Sequence, residues 1–449
     1  MPHDNYSLIP HAREPRVLLL KDPAGWTLPR HNAEDVSEIN TSMKAQLGCD
    51  TTVLYCAYDR YKDDEREEQH RVYVLENHSP DFPLPANAHW ISKADLDTLE
   101  LAVADHRAVL EQWLGQAEAG ILPTNRVPWA SPGWFSTATA WIREQAMTLG
   151  LTLVGPIEQI QVSLWSTVLQ VPTTTETLYF KASAPVFAYE PVLTWRLSQL
   201  VPAYTPPVLF IDQERHWMLM RDAGILLSEL EDKRTNPAHW EKILRHYAHM
   251  QIQLIGQQEA LLATGCPDRR LDLLPALLED ALNDTSLLLL GREQGLPEPE
   301  YTQLRMCLPQ LRASCLELKS YGIPESLHHD DLHGGNILVN ADGPLFFDWA
   351  ECAVTHPFCS MVVVERVFRY LLEFPPGTIA HLRDSYLQEW TQFASMGHLQ
   401  CAYTIAQRLG KLCRALTWGR LLAHLSPDER WEYETSYPYW LRVFLGTEE

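Results

Sequence analysis

The sequence predicts an α+β protein in which sheet-rich regions precede a large helical region. Short runs of alternating apolar and polar residues, typical of strands, recur through the first half of the chain. From Leu226 onward, leucine- and tryptophan-rich segments with helical spacing dominate, interrupted by one strand-loop-strand segment between Ile337 and Trp349. A chain of 449 residues has room for two large domains or about three of ordinary size.

The composition is that of a globular protein. Hydrophobic residues make up 46% and charged residues 21%, which excludes a disordered, collagen-like or coiled-coil chain. The longest aliphatic runs fall far short of the ~20 residues of a membrane helix, and the N-terminal residues lack a signal-peptide pattern. Nine cysteines without a C-x-x-C motif argue against a disulfide framework or a zinc ribbon. We therefore expect a cytoplasmic protein.

The net charge limits which classes of molecule the protein can bind. The chain has 36 basic and 58 acidic residues, a net charge of −22 with neutral histidines. Such a field repels nucleic acid and anionic membranes, so we expect neither as a partner. It would tolerate, and weakly favour, a cationic small molecule, although acidic surfaces commonly serve solubility alone.

The first region, residues 1–120, has the pattern of a small α/β domain. Its first helix is expected to stop at Gly48, as helices often do at glycine. Two strand-like runs flank the charged segment 62–68, which predicts a hairpin. The expected elements are a strand (Arg16–Lys21), a helix (Ala33–Leu47), the hairpin strands (Thr52–Tyr58 and His70–Glu76) and a second helix within Lys93–Trp113.

A linker is predicted at residues 121–133, where prolines and glycines are concentrated. It would lead into a second region, residues 134–222, with one helix and a small sheet, and then into a helical third region, residues 223–449. The elements expected in the second region are a helix (Thr137–Leu149) and strands at Ser163–Val171, Thr177–Ala182, Val208–Asp212 and Trp217–Met220.

The strand-loop-strand segment of the third region concentrates polar side chains. Its loop reads His328-His-Asp-Asp-Leu-His-Gly-Gly-Asn336, and its second strand ends at Asp348. The turn at Asn340–Gly343 favours a hairpin, which would bring Asn336 and Asp348 to the same end of two paired strands. An amide oxygen and a carboxylate suit Mg²⁺ bound to phosphate. Asp331 would then face a substrate hydroxyl near the same metal.

At these residues the chain resembles a known family. The string H-x-D-L-H-x-G-N, here His329–Asn336, and the later Asp348-Trp349 resemble the catalytic and metal-binding loops of aminoglycoside phosphotransferase-like kinases. The resemblance covers roughly residues 155–440. It implies a two-lobed protein kinase-like fold, with a small sheet-rich lobe (134–222) and a large helical lobe (223–449).

The resemblance also implies an activity and roles for the loop residues. The protein would transfer the γ-phosphoryl group of ATP or GTP to a hydroxyl of a small molecule, chiefly through positioning and charge neutralisation. Asp331 would accept or orient the hydroxyl proton, and Asn336 and Asp348 would hold Mg²⁺. His329 and His333 would support the catalytic loop.

The same resemblance assigns a nucleotide site to the second region. Thr177–Lys181 alternates like a strand that ends in lysine, and Lys181 would hold the α- and β-phosphates. Glu190, at the start of an expected helix, would orient Lys181. The segment Trp217–Gly224 resembles the hinge between the lobes, where Met220 and its neighbours would bind adenine.

The loop that would cover the phosphates lies near residues 162–167 and has no glycine. Hydroxyls of Ser166 and Thr167, with backbone N–H groups, would contact phosphate there. Ser360 stands where relatives usually carry aspartate, and we expect this to affect loop support more than chemistry. Four tryptophans of the third region could line a substrate pocket, although packing between helices is the expected role. These are Trp390, Trp418, Trp431 and Trp440.

The first region resembles a Nudix domain through Trp26–His31, the helix that ends at Gly48, and the later Trp90–Trp113 segment. A Nudix hydrolase binds its metals with carboxylates of an R-E-x-x-E-E motif on that helix. The matching positions here are Thr41, Ser42, Ala45 and Gln46. We therefore expect a Nudix-like fold without catalysis, which packs on the small lobe or contributes to a homodimer.

Two other functions stay open. A metal-dependent hydrolase could use the His328–His333 cluster, but no H-x-H or H-E-x-x-H motif elsewhere supplies further ligands. A non-catalytic nucleotide-binding or scaffold protein is favoured by the glycine-free phosphate loop. The intact set of Asp331, Asn336 and Asp348 argues against it. The sequence does not define the acceptor, the choice between ATP and GTP, or the oligomeric state.

Overall fold

The structure, a computed structural model, describes residues 4–33, 35–61, 69–121, 126–430 and 432–448. The chain divides into two compact units, Met1–Ala184 and Pro185–Glu449. The first mixes helices with most of the strands, and the second is mainly helical with short strands. This confirms the predicted α+β class, with a sheet-rich N-terminal and a helical C-terminal region. Within the described ranges, no helix combines the length and apolarity required to cross a membrane.

The first unit contains ten strands and four α-helices in its described part. The strands are β1 (Asp4–Leu8), β2 (Val17–Asp22), β3 (Gly25–Thr27), β4 (Arg30–His31), β5 (Thr51–Tyr61), β6 (Gln69–Asn77), β7 (Ala88–Ile91), β8 (Glu158–Val162), β9 (Ser166–Pro172) and β10 (Thr177–Ser183). The helices are α1 (Val36–Leu47), α2 (Lys93–Leu96), α3 (His106–Glu118) and α4 (Trp134–Thr148).

A four-stranded sheet in the order β4-β1-β6-β5 has helices on both faces. Strand β1 runs parallel to β6, and the other pairs are antiparallel. Side chains alternate along β6, as strand geometry requires. Val72 and Val74 join a core that includes Val109 and Leu114 of α3, whereas Leu75 joins a core that contains α1.

Local signals predicted several of these elements correctly. Helix α1 ends at Gly48, which has the left-handed φ of 74° that favours glycine. Strands β5 and β6 form the expected antiparallel hairpin, and its charged segment 62–68 lies outside the described residues. The helix predicted within Lys93–Trp113 is wrong in extent. Residues 100–102 instead hydrogen-bond with the backbone of Trp26, which separates α2 from α3.

The predicted linker is partly packed against its surroundings. Trp129 is buried, and its indole N–H donates to the Ser163 carbonyl at 3.0 Å. The Gln159 side chain on β8 hydrogen-bonds both backbone groups of Val53 on β5, at 2.8 and 2.9 Å. Strands β8, β9 and β10, which pair antiparallel, therefore belong to the same compact unit as the first 120 residues. The domain bounds drawn from the sequence stay a prediction.

The second unit contains seven strands and twelve α-helices in its described part. The strands are β11 (Val208–Asp212), β12 (Trp217–Arg221), β13 (Ile225–Leu226), β14 (Ser326–His328), β15 (Ile337–Val339), β16 (Pro344–Phe346) and β17 (Ala353–Thr355). The helices are α5 (Glu190–Leu200), α6 (Glu231–Arg234), α7 (Pro237–Gln253), α8 (Gln258–Leu262), α9 (Leu274–Ala281), α10 (Glu298–Met306), α11 (Leu308–Ser320), α12 (Met361–Arg366), α13 (Pro376–Gln388), α14 (Met396–His424), α15 (Pro427–Arg430) and α16 (Ser436–Leu445).

Four short antiparallel strand pairings in the described part of this unit position the loops of the candidate site. Strands β11 and β12 form a hairpin, β13 pairs with β15 and β15 with β16, and β14 pairs with β17. The loop between β14 and β15 contains the polar string, and the segment after β16 contains Asp348. The 29-residue helix α14 packs against α16 and reaches both loops with its side chains.

Candidate active site

The predicted hairpin is confirmed, and it positions the two candidate metal ligands. Ile337 of β15 pairs with Phe346 of β16, and the connecting turn is closed by backbone N–H groups that donate to the Asn340 side chain. Beyond the last strand pair, the Phe347 N–H donates to the Asn336 carbonyl at 3.3 Å. Asn336 and Asp348 therefore lie at the same end of the hairpin.

The Asp331 carboxylate is held from both sides. Its Oδ1 accepts a hydrogen bond from Arg414 Nη2 at 3.2 Å. Its Oδ2 lies 3.2 Å from Asn336 Nδ2 and 3.3 Å from His333 Nε2. Its side chain keeps 28% of its surface exposed, so the carboxylate is fixed yet can be reached by a small molecule.

The two histidines of the loop fix its backbone. His333 Nδ1 accepts from the Gly335 N–H at 3.0 Å, so a neutral ring has its hydrogen on Nε2, facing Asp331. His329 Nδ1 accepts from the Asp331 N–H at 3.2 Å, and its Nε2 donates to the Phe347 carbonyl at 3.0 Å. These contacts suit the supporting role that the resemblance implies.

The electrostatics keep Asp331 ionised. Burial alone raises the pKa of Asp331, but the His333 hydrogen bond and the Arg414 charge outweigh it and bring the pKa below its ordinary value. The pKa of His333 is raised, chiefly by its hydrogen bond with Asp331, against the effect of burial. Burial lowers the pKa of His329. The loop thus places the Asp331 carboxylate beside the His333 imidazole, and each group favours the charged form of the other.

Asn336 and Asp348 are the two residues at this end of the hairpin whose oxygen atoms could hold Mg²⁺. Asn336 Nδ2 donates to the Asp331 carbonyl at 2.8 Å, which leaves Oδ1 as the amide atom that could bind a cation. Asp348 has φ 60°, a left-handed conformation that is uncommon outside glycine and that concentrates at functional sites. Within the described ranges, no three His, Cys, Asp or Glu residues are grouped to hold a metal. Phosphate oxygens and water would complete the coordination shell of Mg²⁺.

Arg414 is a site residue that the sequence analysis missed. This buried residue of α14 donates from Nη1 to the Asp330 carbonyl at 2.9 Å and to the Glu351 carboxylate, and from Nη2 to Asp331. One guanidinium therefore connects the loop between β14 and β15 to the segment after Asp348. The available signal was an arginine among the apolar positions that α14 buries. An arginine is rarely buried without a charged partner, so Arg414 indicated a nearby carboxylate.

Glu351 is a second residue that the sequence analysis missed. Burial raises its pKa to about 7, Arg414 opposes that rise, and the charge of Asp331 adds to it. Three residues after Asp348, this carboxyl group therefore keeps its proton more readily than an ordinary glutamate does. Such perturbed carboxyl groups concentrate at functional sites.

A buried hydrogen-bond cluster supports the loop from below. The Ser360 hydroxyl lies 2.8 Å from the Tyr247 hydroxyl and 3.2 Å from His328 Nδ1, and it accepts from the His329 N–H at 3.3 Å. Asp330, also buried, accepts from Thr417 and lies 3.0 Å from His328 Nε2. Ser360 therefore contacts the loop backbone, and the expected effect of serine at this position on loop support stays a prediction.

The phosphate-loop candidates lie in the first unit. Lys181 is buried on β10, opposite Val168 of β9. Thr167 is fully buried, and its hydroxyl donates to the Gln161 carbonyl at 2.8 Å. This hydroxyl therefore has a partner within the sheet. Ser166 is also buried. The turn before it is organised by Ser163, whose hydroxyl accepts from two backbone N–H groups, a serine-turn signal that the sequence analysis missed.

The remaining nucleotide-site candidates lie in the second unit. Glu190 is the first residue of α5 and is fully buried, and its proposed pairing with Lys181 stays a prediction. Met220 on β12 packs with Val208 and Met218. The chain after β12 meets the hairpin of β15 and β16 at Gly224, where a Cβ would lie 2.6 Å from the Val339 carbonyl oxygen, so only glycine fits.

The tryptophans divide between the core and the site. Trp390 is fully buried and Trp440 nearly so, as expected for helix packing. Trp418 is only partly buried, lies 5.6 Å below the Arg414 guanidinium and stacks on Tyr433 with ring centroids 5.8 Å apart. It is therefore next to the site, whereas Trp431 lies outside the described residues.

Comparison with known proteins gives one family match. Residues 196–395 match the model of a family described as "Phosphotransferase enzyme family", and this range includes the polar string 328–336 and Asp348. A search of curated proteins found no match. The Nudix resemblance of the first region is not addressed by these comparisons and stays a prediction.

Several solved structures share a distant likeness with this chain. A choline kinase from Cryptosporidium parvum is 12% identical, over 69% of this chain and 94% of that one, with a TM-score of 0.46. A choline/ethanolamine kinase family protein from Mesorhizobium loti is 16% identical, over 69% and 94%, with a TM-score of 0.44. The macrolide 2'-phosphotransferase MphH from Brachybacterium faecium is 15% identical, over 66% and 97%, with a TM-score of 0.43.

Proposed function

We propose that this protein is a small-molecule kinase that transfers the γ-phosphoryl group of ATP or GTP to a substrate hydroxyl. The arrangement around Asp331 carries this proposal. A partly exposed, ionised carboxylate is fixed by Arg414, His333 and Asn336, at the end of the hairpin that also presents Asp348. The phosphotransferase-family match over residues 196–395 supports the same reaction class.

Asp331 acts on the acceptor hydroxyl. A carboxylate with a lowered pKa is a weak base, so its first task is to orient the hydroxyl toward the phosphorus atom. As the new P–O bond forms, the hydroxyl becomes more acidic, and Asp331 then takes its proton. Phosphoryl transfer depends more on the position of the hydroxyl than on early removal of its proton. A weakly basic carboxylate such as Asp331 can therefore do this work.

The other roles follow from the contacts and the resemblance. Mg²⁺, held by Asn336 Oδ1 and Asp348, would neutralise charge on the phosphate oxygens. Lys181 would hold the α- and β-phosphates, with Glu190 orienting it, and Met220 would lie against adenine. Backbone groups of the turn before Ser166 would cover the phosphates, because the Thr167 hydroxyl already has a partner.

Asp348→Ala is expected to weaken Mg²⁺-nucleotide binding at least tenfold, about 1.4 kcal/mol, because the metal loses its anionic protein ligand. Calorimetry with ATP and with GTP, each with Mg²⁺ and with EDTA, measures this effect. The wild-type chain should bind at least one nucleotide in a Mg²⁺-dependent way. Equal affinity in the presence of EDTA, or in the Asp348→Ala variant, would contradict the proposed metal site.

His333→Ala is expected to move the acid limb of the kcat/KM profile to higher pH. The His333 hydrogen bond lowers the pKa of Asp331, so its removal raises that pKa, and Asp331 becomes protonated at a higher pH. The pH dependence of phosphoryl transfer, measured beside a His249→Ala control on the surface of α7, tests the assignment. An unchanged acid limb would show that His333 does not tune Asp331.

A non-catalytic nucleotide-binding protein is the second candidate, favoured by the commitment of the Thr167 hydroxyl to the sheet. It predicts Mg²⁺-nucleotide binding without transfer to any acceptor. The hydrolase alternative has less support, because His328 and Asp330 pair in the buried interior. In the described part of the chain, no cluster of three metal-ligating side chains adds to them.

We also propose that the first region is Nudix-like without hydrolase activity. Thr41, Ser42, Ala45 and Gln46 of α1 offer no carboxylate to a metal. The Asp348→Ala chain, incubated with nucleoside diphosphate derivatives and Mg²⁺ or Mn²⁺, is expected to leave them intact. Sustained hydrolysis by that variant would overturn the proposal.

A further inference from the structure

Glu351 lies between the two segments that the proposed reaction must hold in a fixed relation. Asp331 is in the loop between β14 and β15, whereas Asp348 follows β16. Transfer requires the acceptor oxygen within about 3–3.5 Å of the phosphorus atom, and a displacement of about 1 Å can lower the rate about 100-fold. A residue that fixes Asp331 relative to Asp348 would therefore contribute to the rate without contacting a substrate.

The backbone of Glu351 is fixed relative to Asp348. Both belong to one short turn, because a 3₁₀ helix of residues Trp349–Glu351 begins directly after Asp348. The Trp349 side chain is fully buried, and the Tyr189 hydroxyl donates to the Ala350 carbonyl. The Glu351 side chain therefore extends from an anchored backbone.

The Glu351 carboxylate holds the guanidinium group of Arg414 from one side. Arg414 Nη1 donates to this carboxylate and, at 2.9 Å, to the Asp330 carbonyl. Arg414 Nη2 donates to Asp331 Oδ1 at 3.2 Å. The side chain of Arg414 is only 9% exposed, and its guanidinium lies 5.6 Å from the Trp418 ring. Glu351 and Asp331 therefore share one buried cation, and each limits how far that cation can move toward the other.

Loss of Glu351 would change the geometry at Asp331. A guanidinium group pairs best with a carboxylate through two parallel hydrogen bonds. Arg414, no longer held by Glu351, would approach Asp331 in this bidentate way. Both carboxylate oxygens would then be occupied, and the carboxylate would turn toward α14, away from an acceptor hydroxyl.

We propose that Glu351 is a positioning residue that keeps Asp331 available to the acceptor by holding Arg414. This inference rests on the proposed function. The contact itself does not require a charge on Glu351, because a protonated carboxyl group keeps an oxygen that accepts from Nη1. Glutamine offers a similar acceptor at the same reach, whereas alanine offers none.

Steady-state kinetics of the full chain tests the effect on turnover. Hydrolysis of Mg²⁺-ATP and Mg²⁺-GTP, with water in the place of the acceptor hydroxyl, is the reaction followed, or transfer to an acceptor where one is identified. Glu351→Ala should lower kcat about 10–100-fold and leave the KM for nucleotide nearly unchanged, because the contact positions Asp331 and does not bind the nucleotide. Glu351→Gln should recover most of that loss. Asp342→Asn, which removes a carboxylate from the exposed turn of the same hairpin, should behave as wild type.

Denaturant unfolding tests the connection through Arg414 without any substrate. Arg414 can keep one carboxylate partner when the other is removed, so removing both should cost more than the two single losses combined. In the cycle of Glu351→Ala and Asp331→Ala, the unfolding equilibrium constant of the double variant should exceed the additive value about fivefold or more. The same cycle in the Arg414→Met chain should lose this excess.

The outcomes decide separately on the two proposals. Affinity for Mg²⁺-nucleotide that is about tenfold weaker in Glu351→Ala, with unchanged kcat, would place Glu351 on the metal and overturn the positioning role. Additive unfolding in the chain that keeps Arg414, or equally low kcat in Glu351→Gln and Glu351→Ala, would overturn it as well. If the wild-type chain neither hydrolyses nucleotide nor phosphorylates any acceptor, the proposed kinase function fails, while the unfolding cycle still decides whether Glu351 holds Arg414 against Asp331.

Discussion

Asp331→Asn is expected to lower kcat for the true acceptor by about 10²–10⁴-fold, the usual contribution of a positioned acid–base group. The amide is nearly the same size as the carboxylate but a poor proton acceptor. Binding of Mg²⁺-nucleotide should change little, because Lys181, Asn336 and Asp348 keep their places. Steady-state kinetics and calorimetry on the same preparation measure both quantities.

Two controls make this result interpretable. Thermal unfolding shows whether the variant is intact, since the new amide must face both Arg414 and His333. A loss of only a few-fold in kcat would mean that another group orients the hydroxyl, with His333 the first to examine. If nucleotide binding collapsed instead, Asp331 would be a metal ligand, and the hydrolase alternative would have to be reconsidered.

Arg414→Met is expected to lower both activity and stability. The apolar side chain leaves the Asp331 and Glu351 carboxylates without their shared donor, and loss of one partner of a buried ion pair costs about 3–5 kcal/mol. We expect kcat to fall on the order of 10–100-fold, as when a supporting partner of a site is removed. Denaturant unfolding and steady-state kinetics measure the two effects.

The physical reason can be separated from simple loss of packing. Arg414→Lys keeps the charge but cannot bridge three acceptors, so it should recover part of the stability and less of the activity. The double variant Arg414→Met/Glu351→Gln should be more stable than Arg414→Met, because the unpaired carboxylate is gone. Equal stability of these two variants would show that Arg414 does not stabilise the fold through its ion pair with Glu351.

The sequence predicted those features that depend on neighbouring residues. The Asn340–Gly343 turn, the end of α1 at Gly48 and the polar string His329–Asn336 are all local patterns, and the structure has each of them in place. The hairpin then brought Asn336 to the segment of Asp348 without long-range information. This is why the core of the candidate site could be predicted before its surroundings.

Features that depend on distant contacts were missed. Arg414 lies 83 residues after Asp331, and no local pattern connects the two. The periodicity of Lys93–Trp113 matched a helix, but pairing with the Trp26 backbone holds residues 100–102 outside any helix. The hydrogen bonds of Gln159 with Val53 likewise connect the first and second regions, which the predicted linker at residues 121–133 had divided.

Transfer of the γ-phosphoryl group itself tests the proposed kinase function most directly. The wild-type chain and Asp331→Asn are incubated with Mg²⁺ and γ-labelled ATP or GTP over a set of hydroxylated amines and sugars, and labelled products are identified by mass spectrometry. We expect a labelled phosphate monoester with the wild-type chain and almost none with Asp331→Asn. Mg²⁺-nucleotide binding without a labelled product in any reaction, or equal product from both chains, would contradict it.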